Sequence, residues 1–277
     1  MQKLGQHFLK NKSVIRLIVL ELELAPGDTV IEIGPGHGEL TLELPITDYG
    51  LRIFAIEKDE KLAEALESKI QTSLQGGVKK DIVIVRGDAL ELLPKLVNDP
   101  QSAIRDYKIV GNIPYYITGH LLRIISELEN KPERAIFMIQ KEVAERIVAL
   151  SPKMNRLAAS VRYWAEPKII GNLSPEDFGP QPKVDSAIIL LGKKTAPAYP
   201  DVDRYFSAVR TIFAQPRKTI LNNLSQHGTR GKEQETGGRE LGKDKLAASL
   251  QTLGIDPLWR PQDLSVEHIA MIADILF

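Results

Sequence analysis

The chain has 277 residues, of which 43% are hydrophobic, its acidic and basic residues are equal in number, and it contains no cysteine. That length suits one large domain, or a large domain followed by a small one, and the lack of cysteine excludes disulfides, zinc–thiolate sites and thiol catalysis. No apolar run approaches the roughly 20 residues of a membrane helix, and the start lacks the apolar core of a signal peptide, so a cytoplasmic protein without membrane association is expected.

Short apolar runs alternate with helical segments through the first part of the chain. A helix is predicted over Ser13–Leu24, with Ser13 as its N-cap. Buried strands are predicted over Thr29–Ile33, Arg52–Ile56, Asp81–Val85, Tyr107–Val110 and Arg134–Ile139. The helical segments between them lie around Leu40 and over Asp59–Ile70, Thr118–Glu129 and Lys141–Leu150. Strands separated by helices predict parallel βαβ units in an open, doubly wound α/β sheet.

Two later strands, Lys168–Leu173 and Val184–Leu191, have no obvious long helix between them, which predicts an antiparallel edge strand on the sheet. Residues 193–200 have the composition of a linker, so a domain over residues 1–195 and a small helical domain over 196–277 are predicted. Helices in the second domain are predicted over Val202–Phe213, Arg217–Leu224, Lys245–Leu253 and Ser265–Leu276, with a loop over Gln226–Lys243.

A glycine-rich turn, Glu32-Ile33-Gly34-Pro35-Gly36-His37-Gly38, follows the first strand. Glycines allow the backbone to turn sharply and to lie against a ligand. The ligand crevice of an open α/β sheet lies beyond the carboxyl ends of its strands. The G-x-G-x-G spacing differs from that of nicotinamide-dinucleotide folds, and Pro35 removes a backbone donor, so a ligand without phosphate is favoured over a dinucleotide. A simple tight turn remains the alternative.

Carboxylates follow the next two strands. Glu57 closes the second strand, where its side chain can accept hydrogen bonds from two ribose hydroxyls. Asp88 follows the third strand and can accept a hydrogen bond from an adenine amine, or can serve as a helix N-cap. This pair of carboxylates suits an adenosine that carries a cationic sulfonium, as S-adenosylmethionine does.

The tetrapeptide Asn112-Ile113-Pro114-Tyr115 follows the fourth strand and faces the same crevice. The N6 lone pair of adenine is delocalised into the ring and attacks poorly. The Asn112 side-chain oxygen and the Ile113 carbonyl can accept its two N–H bonds and favour a tetrahedral nitrogen. Pro114 stiffens the turn, and Tyr115 offers a face on which an extruded base can stack. Such a reaction needs orientation and electrostatics but no metal or covalent intermediate. An ordinary β-turn with a buried tyrosine is the alternative.

Several segments resemble motifs of one protein family. The tetrapeptide resembles the fourth motif of the N6-adenine methyltransferases. Residues 5–9 resemble the G-Q-N-F-L segment of the ribosomal RNA adenine dimethyltransferases within that group, with His7 at the asparagine position. Residues 140–144 match another segment, and Phe178-Gly179-Pro180-Gln181-Pro182-Lys183-Val184-Asp185-Ser186 fits F-x-P-x-P-x-V-x-S. Over almost its whole length the chain is similar to the small-subunit (16S) ribosomal RNA adenine dimethyltransferases, the KsgA/RsmA family.

The resemblance implies a Rossmann-like class I methyltransferase sheet that uses S-adenosyl-L-methionine. It further implies that the substrate is two adjacent adenines in a hairpin near the 3′ end of 16S RNA, free or in an assembling 30S particle, each of which is dimethylated at N6. The residues at the family's cofactor positions are His7, Leu9, Gly34, Gly36, Glu57, Asp88 and Asn112. The resemblance also implies that Phe178 forms the second aromatic wall around the adenine, opposite Tyr115; a core phenylalanine is the alternative.

Basic residues give the chain two candidate RNA-binding patches. Lys10 and Lys12 lie near the start, and Arg217-Lys218 resembles the start of a family helix in the RNA-facing part of the C-terminal domain. Such residues neutralise phosphates without reading sequence, although a solvated charge cluster is the common alternative. The five histidines show no metal-ligand spacing, so no metal is expected, and a monomer is expected. The rival functions are an Erm-like modification of large-subunit RNA, a non-catalytic nucleic-acid-binding relative and, as the weakest, a nicotinamide dehydrogenase.

Overall fold

The computed structural model describes residues 7–73, 81–99, 102, 104–195, 201–230 and 242–276. These residues form two compact units. The first contains the described residues up to Glu145 together with Glu166–Lys193, and the second contains Arg146–Ala165 together with the described residues from Lys194 onward. The last residue of the first unit, Lys193, lies two residues before the boundary predicted at residue 195. The second unit also contains residues 146–165, which the prediction had placed in the first domain.

A seven-stranded sheet forms the centre of the first unit. Its order is β4-β3-β2-β5-β6-β9-β7, where the strands are β2 (Thr29–Ile33), β3 (Arg52–Glu57), β4 (Ile82–Arg86), β5 (Tyr107–Asn112), β6 (Arg134–Gln140), β7 (Ala165–Leu173) and β9 (Ser186–Lys193). Strands β2 to β6 pair in parallel, and β9 is antiparallel to β6. The predicted α/β sheet, mostly parallel with an antiparallel strand at one end, is therefore confirmed.

A separate antiparallel pair joins β1 (Phe8–Leu9) to β8 (Phe178–Gly179), with Phe8 opposite Gly179 and Leu9 opposite Phe178. The backbone N–H of Lys10 extends this pairing by donating to the carbonyl of Asp177 at 2.8 Å. Residues far apart in sequence are thus held side by side, and the start of the described chain is anchored to the F-x-P-x-P segment.

Six helices begin within the first unit. They are α1 (Lys12–Glu21), α2 (Ile46–Tyr49), α3 (Glu60–Ser73), α4 (Ala89–Asn98), α5 (Thr118–Glu127) and α6 (Lys141–Val148). Ser13 is not the N-cap of α1; the cap is Asn11, whose side chain accepts from the backbone of Ser13 and Val14. The helix predicted around Leu40 is instead a 3₁₀ turn over Thr41–Glu43 followed by the short α2. Helix α4 was not among the predicted helices, although the N-cap alternative for Asp88 implied one; it contains Pro94, a residue type that usually interrupts a helix.

The strand order places a crevice at one edge of the sheet. After β2 the chain adds β3 and β4 on one side and then returns to add β5 on the other side of β2. Such a reversal opens a crevice outside the carboxyl ends of the two central strands, where ligands bind in open α/β sheets. The strands beneath it are anchored by buried side chains on both faces, including Val30, Ile31, Ile109 and Val110.

The second unit is helical, with α7 (Arg156–Arg162), α8 (Val202–Ile212), α9 (Ile220–Arg230), α10 (Lys243–Thr252) and α11 (Val266–Leu276). The helix predicted from Arg217 begins only at Ile220, and it continues through Arg230, so the loop predicted from Gln226 begins too early. The rest of that loop, residues 231–241, lies outside the described residues, as do residues 196–200 of the predicted linker. None of the helices in the described ranges combines the length and apolarity needed to cross a lipid bilayer.

Candidate active site

Two adjoining cavities lie where β2, β3, β4 and β5 end. The first, here called the Asn112 pocket, spans about 510 Å³ including space open to solvent, and is lined by His7, Phe8, Gly34, Gly36, Glu57, Leu62, Asn112, Ile113, Pro114 and Tyr115. The second, the Asp88 pocket, spans about 490 Å³ including space open to solvent, and is lined by Ile33, Gly34, Ile56, Glu57, Lys58, Gly87, Asp88, Ala89, Pro114, Tyr116 and Ile117. They share Gly34, Glu57 and Pro114, so a ligand longer than one pocket could occupy both.

The glycine loop forms the floor between β2 and the ligand space. Gly36 has a φ of +59°, which side-chain-bearing residues rarely adopt. A Cβ at this position would lie 2.7 Å from the ring of Phe8. Only glycine therefore allows this turn and leaves room for the N-terminal segment to pack on it.

Glu57 ties the end of β3 to that loop. Its Oε2 accepts from the backbone N–H of Gly36 at 3.1 Å, and its Oε1 accepts from the backbone N–H of Asp59 at 2.9 Å. Each carboxylate oxygen has two acceptor sites, so both can still accept a further hydrogen bond. These two backbone donors fix the orientation of a carboxylate that lines both pockets.

Asp88 performs two tasks beside the second pocket. Its Oδ1 accepts from the backbone N–H of Leu90 at 2.9 Å and caps α4, and its Oδ2 accepts from Nζ of Lys58 at 2.7 Å. Partial burial raises the pKa of Asp88, but the hydrogen bonds from Lys58 and Leu90 outweigh it and lower the pKa below its ordinary value. The N-cap alternative is therefore present in the structure, and the ionised carboxylate lies at the wall of the pocket as well.

Asn112 ends β5 with its side-chain amide held in one orientation. Its Nδ2 donates to the backbone carbonyl of His7. This bond assigns the amide nitrogen to His7 and leaves Oδ1 without a hydrogen-bond partner in the described part of the chain. The pocket is thus lined by an oriented asparagine whose acceptor is available.

Tyr115 is held at its phenolic tip. Its hydroxyl lies 2.7 Å from Oγ of Ser186, the first residue of β9. The imidazole of His7 lies beside the ring, with centroids 6.2 Å apart and planes inclined by 29°. His7 is itself anchored, because its Nδ1 donates to the carbonyl of Pro180 at 2.8 Å.

Most of the predicted site residues are brought together. One pocket is lined by His7, Gly34, Gly36, Glu57, Asn112 and Tyr115, and the adjoining pocket is lined by Asp88.

Two predicted site residues lie elsewhere. Leu9 and Phe178 stand opposite each other in the β1–β8 pair, and both belong to the hydrophobic core. The ring of Phe178 is only 1% exposed, and neither side chain lines the two pockets. Phe178 therefore packs here as a core phenylalanine, and stacking on a base would require its ring to become exposed.

The predicted RNA-binding residues are all exposed. Lys10 and Lys12 lie between β1 and the first turn of α1, in the first unit, and Arg217 and Lys218 lie in the turn that precedes α9, in the second. Within the described ranges, no three His, Asp or Glu side chains are grouped so that they could hold a metal ion.

Sequence reasoning assigned no role to two buried polar residues near the site. Ser186 appeared only as the last letter of the F-x-P-x-P-x-V-x-S pattern, and Glu32 only as the first of the glycine loop. Glu32 is 2% exposed, and Oγ1 of Thr41 donates to its carboxyl at 2.7 Å. Burial and, to a lesser extent, the nearby carboxylates Glu39 and Glu57 raise the pKa of Glu32 from 4.5 to about 7, against the lowering effect of the hydrogen bonds from Thr41. An acidic residue within an otherwise apolar strand was the available signal for Glu32.

Comparison with known proteins gives four further findings. The family of ribosomal RNA adenine dimethylases matches residues 1–254. The ribosomal RNA small subunit methyltransferase A of Dehalococcoides mccartyi is 37% identical over 271 residues, covering 97% of this chain and 86% of that protein. Among solved structures, the 23S rRNA methyltransferase ErmE has a TM-score of 0.70 at 25% identity, covering 97% of this chain and 99% of ErmE. A dimethyladenosine transferase from Plasmodium falciparum has a TM-score of 0.75 at 22% identity, covering 97% of both chains, and this second likeness concerns the fold.

Proposed function

The chain belongs to the ribosomal RNA adenine dimethylase family, and from this premise we propose that it methylates N6 of two adjacent adenines in a hairpin near the 3′ end of 16S RNA. The methyl donor is S-adenosylmethionine, and each adenine receives two methyl groups. The observation that carries the proposal is the oriented amide of Asn112, whose Nδ2 is engaged by His7 while its Oδ1 is available in the pocket.

The residues around the two pockets fit S-adenosylmethionine. Glu57 keeps an acceptor site on each carboxylate oxygen for the ribose hydroxyls, and Asp88 offers an ionised acceptor for the adenine amine. Gly36 leaves the loop free of a side chain at the ligand surface. When bound, S-adenosylmethionine supplies an electrophilic methyl group on its sulfonium. No phosphate is present in such a ligand, which agrees with a loop whose Pro35 lacks a backbone donor.

Asn112 and its neighbours orient the target amine. Oδ1 of Asn112 and the carbonyl of Ile113 accept the two N–H bonds of adenine N6 and draw its lone pair out of conjugation with the ring. Tyr115 provides a stacking face for the extruded base. These groups are fixed before the substrate arrives, because His7 holds the Asn112 amide and Ser186 holds the Tyr115 hydroxyl. Fixed acceptors and dipoles of this kind stabilise developing charge without reorganising.

RNA binding is proposed for Lys10, Lys12, Arg217 and Lys218, which are exposed and basic. Neutralisation of phosphates by these residues gives affinity that falls with added salt and does not depend on sequence. The chain is proposed to act as a monomer in the cytoplasm, where small subunits assemble, on naked RNA or on the assembling 30S particle. Phe178 is proposed to contact the base and Leu9 the cofactor. Both contacts require the β1–β8 segment to move so that these buried side chains become exposed.

The deciding experiment measures methyl transfer from labelled S-adenosylmethionine to small subunits and, in parallel, to large subunits that lack the modification, followed by mass spectrometry of the nucleosides of each RNA. We expect N6,N6-dimethyladenosine in 16S RNA, and a rate lowered by about 10²–10³ in Asn112→Ala, the range for loss of one fixed electrostatic group. Asn98→Ala, at the exposed end of α4, is the matched control and should keep wild-type activity.

Two of the rival functions have their own outcomes in that experiment. Modification of large-subunit RNA alone would favour an Erm-like function, which the 25% identity to ErmE supports less well than the 37% identity to a small-subunit enzyme supports ours. Binding of RNA without any methyl transfer by the wild type would favour a non-catalytic nucleic-acid-binding protein.

A further inference from the structure

The buried hydroxyl of Ser186 is placed to control the ring of Tyr115. Ser186 is 1% exposed, and its Oγ lies 2.7 Å from the Tyr115 hydroxyl. The residue begins β9 and stands opposite Gln140, the last residue of β6, in an antiparallel ladder. Its backbone is therefore held by the sheet, so the hydroxyl presents a fixed partner to the tyrosine.

Tyr115 is thus held at both ends. On the backbone side, Pro114 restricts the turn, and the N–H of Ile113 donates to the carbonyl of Met138 at 3.1 Å. At the tip, the hydroxyl is bonded to Ser186. Stacking by itself requires only an aromatic face, which a phenylalanine would supply equally well. The bond to Ser186 adds a fixed position for the tip of the ring, and because a phenolic O–H prefers to lie in the ring plane, the bond also restricts the orientation of that plane.

The two methyl transfers place unequal demands on that plane. In each transfer N6 forms a bond to the methyl carbon while the carbon–sulfur bond breaks, and N6 releases one proton to solvent. Unmodified adenine brings two N–H groups, which Asn112 Oδ1 and the Ile113 carbonyl can both accept. N6-methyladenine brings one. The second transfer therefore loses one of two orienting hydrogen bonds and depends more on the stacking surface.

We propose that Ser186 is a positioning residue for the second methyl transfer, acting through Tyr115. This inference rests on the proposed function and deepens it, since it concerns how far the reaction proceeds at the same site. Without the Ser186–Tyr115 bond, the first methyl group is still transferred, but the base is held less well for the second. N6-methyladenosine then accumulates at the expense of the dimethylated product.

The test compares wild type, Ser186→Ala, Tyr115→Phe and the double variant in a time course of mono- and dimethylated adenosine. The rate of the second transfer should fall about fivefold relative to the first in each single variant, the factor that one neutral hydrogen bond is worth. The double variant should be no worse than the single ones, because both remove the same bond. The matched control is Ser126→Ala, which removes a fully buried hydroxyl in α5 that donates to the carbonyl of Leu122, and it should leave the product ratio unchanged.

Equal slowing of both transfers, or an unchanged ratio in both single variants, would overturn the inference. Thermal unfolding and cofactor affinity establish that each variant is folded, and Tyr115→Phe tests the same bond if Ser186→Ala does not fold. A wild type that produces no methylated adenosine would instead refute the proposed function. A wild type that dimethylates while the Ser186 and Tyr115 variants share its product ratio would refute the inference alone.

Discussion

Neutralising Glu32 should change how the stability of the protein depends on pH. The carboxyl is buried, and its pKa is raised from an ordinary value of 4.5 to about 7. As the pH rises through this window, the unfolded chain loses the proton while the folded chain keeps it, so wild-type stability falls with rising pH. At about 1.4 kcal/mol for each pH unit, the loss reaches about 3 kcal/mol above pH 7. Because glutamine has no charge to bury, Glu32→Gln should not show this loss of stability with rising pH.

The assay is urea unfolding of both proteins between about pH 4 and pH 8. The unfolding free energy of Glu32→Gln, taken relative to wild type, should rise by about 3 kcal/mol across that range and then level off. Glu43→Gln, which changes an exposed carboxylate near Thr41, is the matched control and should show no such rise. A difference between Glu32→Gln and wild type that stays constant, or falls as the pH rises, would refute the reasoning from burial.

Three further predictions concern the site and the RNA-binding surface. Glu57→Gln should weaken S-adenosylmethionine binding about tenfold or more in calorimetry, because the charged acceptor for the ribose hydroxyls is lost. Unchanged affinity in a folded variant would contradict the assignment. Gly36→Ala places a Cβ 2.7 Å from the Phe8 ring at a φ of +59°, so it should lower the thermal midpoint and abolish cofactor binding, and wild-type values for both would show that the loop tolerates a side chain. Replacing Arg217 and Lys218 with alanine should reduce the slope of RNA affinity against salt by about one to two, while cofactor affinity stays constant, and an unaltered slope would remove these residues from the RNA-binding surface.

The sheet could be predicted closely from the sequence because buried parallel strands are short, nearly continuous apolar runs. The strands predicted at Thr29–Ile33 and Arg134–Ile139 lie at or within one residue of the observed bounds. Helix α4 is a case in which the local sequence misleads. Pro94 disfavours a helix locally, but the Asp88 cap and the buried side chains of Leu93 and Val97 stabilise one. Tertiary packing overrides a local signal at that point.

The sequence by itself determined the sheet, the order of its motifs along the strands, and hence the edge at which Glu57, Asp88 and Asn112 gather. That result follows because the carboxyl ends of parallel strands share one edge. Only the tertiary structure decided which partners orient these groups. The carbonyl that holds Asn112 belongs to His7, 105 residues away, and the hydroxyl that holds Tyr115 belongs to Ser186, 71 residues away. It also placed Phe178 in the core, because pairing with Leu9 in β1 determines where the ring lies, and local periodicity carries no information about contacts over such separations.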